Sequence, residues 1–190
     1  MIAAWGADAI AVQKVGGQVE SIAWMIAGGF SMAVNSFIGQ NYGAGQIKRC
    51  KRTLWLTLIE DTIASGAAIG IVLLLGRFLL AIFNSDPQVI EIGYTRLTIV
   101  FAAYTFSMLY EIMSGYLRGF GVSLVPAVLT MIGVCGIRIA WIELVFPKHH
   151  NFETIMTAYP ISLSATALLI FIALLIYRPS RRFANKQPAE

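Results

Sequence analysis

The chain has 190 residues, of which 57% are hydrophobic and 13% are charged, and its mean hydropathy is +0.72. Soluble domains are about 45–50% apolar and about 25% charged, so this chain has too few polar side chains to cover a domain in water. Lipid removes that difficulty, and the composition predicts an integral membrane protein. The net charge of +4 does not indicate a nucleic-acid partner, because the cations stand beside apolar runs as membrane anchors do.

Five apolar stretches follow one another along the chain, separated by short polar turns. The predicted spans cover residues 9–39, 53–83, 89–117, 123–146 and 154–177. Each is long enough to cross a hydrocarbon core of about 30 Å as a helix. The sequence therefore predicts an all-α membrane protein, a single transmembrane domain over residues 1–190 with a bundle of about five helices.

The loop charges predict the orientation. Cations are concentrated in residues 48–52, after the first span, and in residues 178–186, after the fifth. By the positive-inside rule both regions and the turn at Arg118 are cytoplasmic, which places the N-terminus outside. We count Asp86, Glu91, Lys148 and Glu153 in the outer loops, with Arg96 as the main exception. The N-terminus does not read as a signal peptide, and we expect the chain to begin inside a longer protein.

Ionisable residues within the spans are costly in lipid, and each is a functional candidate. They are Glu20, Glu60, Asp61, Glu111, Arg138 and Glu143. We expect Glu60 and Asp61 to pair with Lys51 or Arg52 near the membrane interface. Arg138 requires an acid or carbonyl groups from another helix. Glu143 lies near a span end, where it could extend to the interface or meet Lys148.

Two polar strips predict a binding site. Gln18, Glu20 and Trp24 form one in the first span, and Tyr104, Ser107 and Glu111 share a helix face in the third. A carboxylate beside aromatic rings offers an organic cation both a counter-charge and a π surface. The same carboxylates could bind Na⁺ or carry a proton. For Glu111, a structural ion pair with Arg118 on the same face is the alternative.

No motif of an enzyme, metal site or cofactor site is found. The chain lacks a phosphate-binding loop, an HExxH pair and a nucleophile elbow, and Cys50 and Cys135 have no histidine at ligand spacing. We therefore predict a protein that is not an enzyme and that holds no metal or cofactor. Gly66-x-x-x-Gly70 and Gly115-x-x-x-Gly119 offer faces for close helix contact.

Two loop motifs resemble a known family. Trp5-Gly6-Ala7-Asp8-Ala9-Ile10-Ala11 and the loop Gly39-Gln40-Asn41-Tyr42-Gly43-Ala44-Gly45 resemble the start and end of the eighth helix of multidrug and toxic compound extrusion (MATE) transporters. Leu117-Arg118-Gly119-Phe120-Gly121, with Pro126, resembles the turn between that family's helices ten and eleven. The likeness covers nearly the whole chain, as helices eight to twelve.

The resemblance implies half of a transporter. MATE proteins have twelve helices in two six-helix halves and export drugs, often cationic, in exchange for Na⁺ or H⁺. Helices one to seven are missing here, and Ser107 stands where some members bear an aspartate. The implied partners are the bilayer, a small organic cation, and the missing N-terminal lobe or a second copy. The structural motif residues are Gly39, Gln40, Gly43, Gly45, Arg118, Gly119, Gly121 and the deep Arg138.

The leading hypothesis is therefore multidrug efflux by antiport at the cell membrane, with a cytoplasmic C-terminus and Na⁺ or H⁺ as the coupling ion. One alternative is a lipid-linked oligosaccharide flippase of the same superfamily, whose cavity we expect to hold more arginine than Arg138 alone. Another is a membrane subunit that transports nothing and packs against partners through its glycine faces.

Overall fold

The structure, a computed structural model, describes residues 7–83, 85–147 and 152–182. Three long helices come first: α1 Ala7–Gly43, α2 Ile47–Phe83 and α3 Pro87–Gly119. The next span joins α4 Leu124–Thr130, a π-helical turn Met131–Gly136 and α5 Ile137–Leu144. The short α6 Phe152–Met156, α7 Ala158–Tyr177 and the short α8 Pro179–Arg182 complete the described chain. The all-α prediction is confirmed.

Four segments among the described residues are long and apolar enough to cross a membrane. They are Ile47–Ile82, Pro87–Gly119, Leu124–Leu144 and Thr154–Tyr177, which match the second to fifth predicted spans. The predicted first span corresponds to α1, a helix of 37 residues that is not among these four. At about 1.5 Å per residue α1 is longer than a bilayer core is thick.

The predicted loop over residues 39–45 is helical as far as Gly43, where α1 ends, so the turn itself is formed by Ala44 and Gly45. Both glycine motifs nevertheless lie where a helix ends. After α1, Gly45 adopts φ +73°, and the Gln46 amide donates to the Asn41 carbonyl over 2.7 Å. After α3, Gly121 adopts φ +80°, and its amide donates to the Arg118 carbonyl over 2.8 Å. These are left-handed backbone angles that glycine adopts without the steric cost of a Cβ atom.

The start of the second helix also differs from the prediction. The sequence predicts a loop over residues 48–52, but α2 already begins at Ile47, so this basic cluster occupies its first turns. Lysine and arginine are good helix formers, and the turn at Gly45 completes the reversal of the chain before them. The cluster thus lies on a rigid helix end.

Helix α3 is the centre of the bundle, packed against α1, α2 and α7. Its first half shares an apolar cluster with α1 and α2 that includes Ala27, Leu80 and Phe101. Its second half shares one cluster with α1 and α2 and another with α7. A single helix therefore carries residues to every side of the core.

The predicted glycine faces behave differently. A Cβ atom at Gly115 would lie 2.6 Å from the Ser31 carbonyl oxygen, and one at Gly119 would lie 2.5 Å from Ile38 Cβ. This confirms close contact between α1 and α3 through the Gly115-x-x-x-Gly119 face. Cβ atoms at Gly66 and Gly70 would meet no described atom within 4 Å.

Arg138 finds its partner on α7, although not the kind that was predicted. Its Nε donates to Ser162 Oγ over 2.9 Å, and its guanidinium lies 4.3 Å from the centre of the Tyr159 ring. The expectation of an acid or carbonyl partner is therefore wrong, and a hydroxyl and a π face take that place. The ring attracts the guanidinium, which forms no ion pair with a described carboxylate.

Candidate functional site

A buried ion pair joins α1 to α3. Arg96 Nη1 lies 2.6 Å from Glu20 Oε1, and the Arg96 side chain has no solvent exposure. Gly16 makes room for it, because a Cβ atom there would overlap the guanidinium. Arg96 was counted with the outer loop charges although it falls within the predicted third span, and that count is wrong: Arg96 is the tenth residue of α3 and its side chain is buried.

The Nη1–Oε1 contact is the one ion pair that either residue forms within the described ranges. Neither Glu20 Oε1 nor any Arg96 nitrogen has a hydrogen bond of good geometry with a described residue. The Nη1–Oε1 distance alone is short enough for a strong Coulomb attraction in this buried setting. A buried arginine without other hydrogen-bond partners is stabilised mainly by the carboxylate beside it, so loss of Glu20 would leave the Arg96 charge uncompensated.

Two aromatic residues extend this pair towards the surface. Tyr104 donates its hydroxyl to Glu20 Oε2 over 3.4 Å, and Trp24 donates its indole N–H to the Tyr104 oxygen over 2.8 Å. Tyr104 is buried, whereas Trp24 is 44% exposed. A polar chain thus runs from the exposed Trp24 through Tyr104 and Glu20 to the deep Arg96.

Trp24, at the exposed end of this row of polar side chains, lines a surface depression of about 560 Å³. Its described lining residues lie on α1: Gly17, Glu20, Ser21, Trp24 and Met25. The depression is open to one side, so α1 supplies one wall of a site and the described chain leaves the facing side free. We call Glu20, Trp24, Tyr104 and Arg96 the α1–α3 polar cluster.

The other predicted site residues do not join this cluster. Gln18 is exposed, and its carbonyl accepts a hydrogen bond from Ser21. Ser107 is buried in α3. Of the six predicted site residues, the structure thus brings together Glu20, Trp24 and Tyr104, and it adds Arg96, which the sequence did not indicate.

Glu111 belongs to a second, separate polar group. Arg118 Nη2 lies 3.4 Å from Glu111 Oε2 and donates to Ser31 Oγ over 2.7 Å. Ser31 in turn donates to the Glu111 carbonyl oxygen. This is the structural pair given as the alternative for Glu111, and it locks the end of α3 onto α1.

Asp61 is an interior residue that the sequence placed wrongly. It is 1% exposed, and Ser65 donates to its Oδ1 over 3.0 Å, so it does not pair with Lys51 or Arg52. Those two cations are exposed, about 15 Å away along α2, and the helix turns Asp61 inwards. Ser65, four residues on, was the signal that could have revealed a buried partner.

Two neighbouring acids lie at the surface. Glu60 is exposed and forms no ion pair within the described ranges, and Glu143 is also exposed. The suggested partner of Glu143, Lys148, lies outside the described residues. In the same ranges, no three His, Cys, Asp or Glu residues come together to hold a metal ion.

Comparison with known proteins decides the family. The sequence model of the MatE family matches residues 1–142, three quarters of the chain. This protein belongs to the MATE family. Its relatives are multidrug efflux transporters, and the prediction made from the two glycine loops is confirmed.

Two curated relatives show the extent of the similarity. A probable multidrug resistance protein NorM of Thermotoga maritima is 31% identical over 137 residues, which cover 70% of this chain and 29% of NorM. Multidrug and toxin extrusion protein 1 of Mus musculus is 31% identical over 126 residues, covering 65% and 22%. The chain thus spans less than a third of the length of either relative.

The fold agrees with this assignment. The crystal structure of the eukaryotic MATE transporter AtDTX14 superposes with a TM-score of 0.79 at 16% identity, over 94% of this chain and 41% of that one. This MATE chain is therefore a multi-pass membrane protein with part of the transporter fold. The comparisons do not favour the flippase alternative.

Proposed function

We propose that this MATE chain is the C-terminal lobe of an exporter that moves organic cations out of the cell in exchange for Na⁺ or H⁺. The α1–α3 polar cluster carries the proposal, since it offers a carboxylate and two aromatic rings beside an open depression. The membrane is the cell membrane, and the basic first turns of α2 face the cytoplasm.

The cluster suits a cation that approaches from the depression. Trp24 presents an exposed indole ring, the aromatic group that attracts cations most strongly. Glu20 lies directly behind it with one oxygen towards Tyr104 and one towards Arg96. A flat, positively charged molecule would stack on Trp24 and be attracted by Glu20.

Arg96 supplies a reason for exchange. Glu20 already balances one buried cation, so a second cation at this carboxylate has to draw it away from Arg96 or share it. A proton or Na⁺ would compete for the same carboxylate, and a group that serves one cation at a time can couple opposite movements of two. The competing ions are in this way linked through one residue.

A second lobe completes the transporter. Substrate sites of such folds lie between two repeats that rock against each other, and this chain supplies one. The depression beside Trp24 lacks a facing wall within the described residues. The N-terminal lobe, or a second copy of the chain, would close it.

Binding of a fluorescent cationic dye such as ethidium to the purified full chain tests this site. We expect Glu20→Gln to weaken dye binding about tenfold, because the counter-charge is lost, which corresponds to about 1.4 kcal/mol. The double variant Glu20→Gln with Arg96→Gln should lose as much without leaving a lone buried cation. Added Na⁺ or acid should displace the dye from the wild-type chain.

Glu60→Gln is the matched control, because it removes an exposed carboxylate from α2 and should leave dye affinity unchanged. If both Glu20 variants bound dye as the wild type does, the site assignment would be wrong. A chain that binds no cationic dye at all would favour the non-transporting subunit.

A further inference from the structure

Two grooves meet at the end of the bundle where α2 begins and α7 ends. One, of about 610 Å³, is lined by Gly45, Gln46, Ile47, Lys48, Arg49, Lys51 and Ser180. The other, of about 370 Å³, runs along the helices and includes Leu54, Trp55, Leu174 and Leu175. Lys51 and Ser180 line both grooves, so the two form one continuous surface, the α2–α8 groove.

The end of this groove nearest the start of α2 is positively charged. Lys48, Arg49, Lys51 and Arg178 line the two joined grooves, and none of the described lining residues is acidic. None of the four forms an ion pair with another described residue. The first turn of α2 adds the positive end of a helix of 37 residues. The complement of this end is an anionic group with several acceptor oxygens.

The other half of the groove is apolar and membrane-facing. Trp55 is 68% exposed and Leu175 is 49% exposed, although both lie on helices that are long and apolar enough to span a membrane. Tryptophan at such a position marks the level of the lipid headgroups. An occupant of the whole groove therefore has a negatively charged head and a hydrocarbon tail.

We propose that the α2–α8 groove binds an anionic phospholipid of the surrounding leaflet. Its phosphate lies between Lys51, Ser180 and the start of α2, and an acyl chain runs along Trp55 and Leu175. Basic pockets between membrane helices bind anionic headgroups in this way. A zwitterionic lipid fits less well, because its own positive group would lie beside the four basic side chains of the groove. Free phosphate fits less well because it has no acyl chain to cover the apolar half. This inference does not depend on the proposed export activity.

Native mass spectrometry of the full chain in detergent tests the proposal. Phosphatidylglycerol and phosphatidylcholine with identical acyl chains are titrated separately, and bound lipid is counted. We expect phosphatidylglycerol to bind about fivefold more tightly than phosphatidylcholine. Lys51→Gln should weaken the binding of phosphatidylglycerol about fivefold. Lys51→Arg should restore it, because the charge returns.

Lys14→Gln is the matched control, since it removes an exposed lysine of α1 far from the groove. Trp55→Ala should weaken both lipids, and millimolar inorganic phosphate should displace neither. Equal affinity for the two lipids, or equal losses in Lys14→Gln and Lys51→Gln, would overturn the proposal. Displacement by inorganic phosphate would overturn it too, because the site would then be one for the free anion. All exchanged residues are exposed, so each variant is expected to fold, which circular dichroism verifies.

Discussion

Arg96 changes the electrostatic role of the residue beside it, Glu20. Glu20 alone in an apolar helix is a free counter-charge, but beside Arg96 it is half of a neutral pair. The cost of an unpaired charge in a buried, poorly polarisable setting makes each partner necessary to the other. The cluster is for this reason a structural joint between α1 and α3, and in the proposed function it is also the site where cations compete.

The first prediction concerns this joint. Glu20→Gln should lower the free energy of unfolding by about 3–5 kcal/mol, since it leaves the Arg96 charge buried without a counter-charge. The double variant Glu20→Gln with Arg96→Gln should recover a large part of that loss. Denaturant unfolding in detergent, followed by circular dichroism, measures both. Equal stability of the single and double variants would show that the pair is not coupled.

At the scale of elements, glycine spacing predicts contact but does not say which face is used. The Gly115 and Gly119 face is filled by Ser31 and Ile38 of α1, while a Cβ atom on the Gly66 and Gly70 face would meet no described atom within 4 Å. Both share the same sequence pattern. The difference comes from the arrangement of α1 around α3, which local sequence does not encode.

A pair of alanine substitutions should therefore have opposite signs. Gly115→Ala should destabilise the chain by about 1–3 kcal/mol, because its Cβ would press on the Ser31 carbonyl and force α1 and α3 apart. Gly70→Ala should be neutral or stabilising by up to about 1 kcal/mol, since alanine favours a helix and has free space there. The same unfolding measurement compares them. Destabilisation of similar size in both would contradict the assigned contact.

At the scale of the whole molecule, the order of the long helices places the described turns between them at two opposite ends of the bundle. The turn after α1, the turn after α3 and the end of α7 share one side, where the Tyr42 and Phe120 rings lie 5.2 Å apart. The junction of α2 and α3 lies on the other side, where Arg77 and Glu91 pair over 3.0 Å. The charge distribution predicts that the first side is cytoplasmic.

Cysteine labelling tests this topology. In a chain with Cys50→Ala and Cys135→Ala, single cysteines replace Ala44, Ser123 and Gln88, all of which are exposed. A membrane-impermeant maleimide should label Gln88→Cys in spheroplasts, and Ala44→Cys and Ser123→Cys only in inside-out vesicles. The opposite pattern would invert the predicted orientation, and labelling of Ala44→Cys and Ser123→Cys from different sides would contradict the fold.

The sequence by itself determined the fold class, the second to fifth spans and the family. Hydropathy identifies segments that are apolar enough to cross a membrane. The two glycine motifs end helices because glycine adopts left-handed backbone angles. Both properties depend only on residues that are consecutive in the sequence. Helical spacing also placed Glu20 and Trp24 on one face of the first span and Tyr104 on a polar face of the third.

Only the tertiary structure decided which charges meet. The burial of Arg96 and Asp61, the hydroxyl and ring that receive Arg138, and the choice between two glycine faces all depend on how helices far apart in sequence are packed. Helical periodicity predicts which residues share one face of a helix. The residues that this face contacts depend on how all the helices of the bundle pack together.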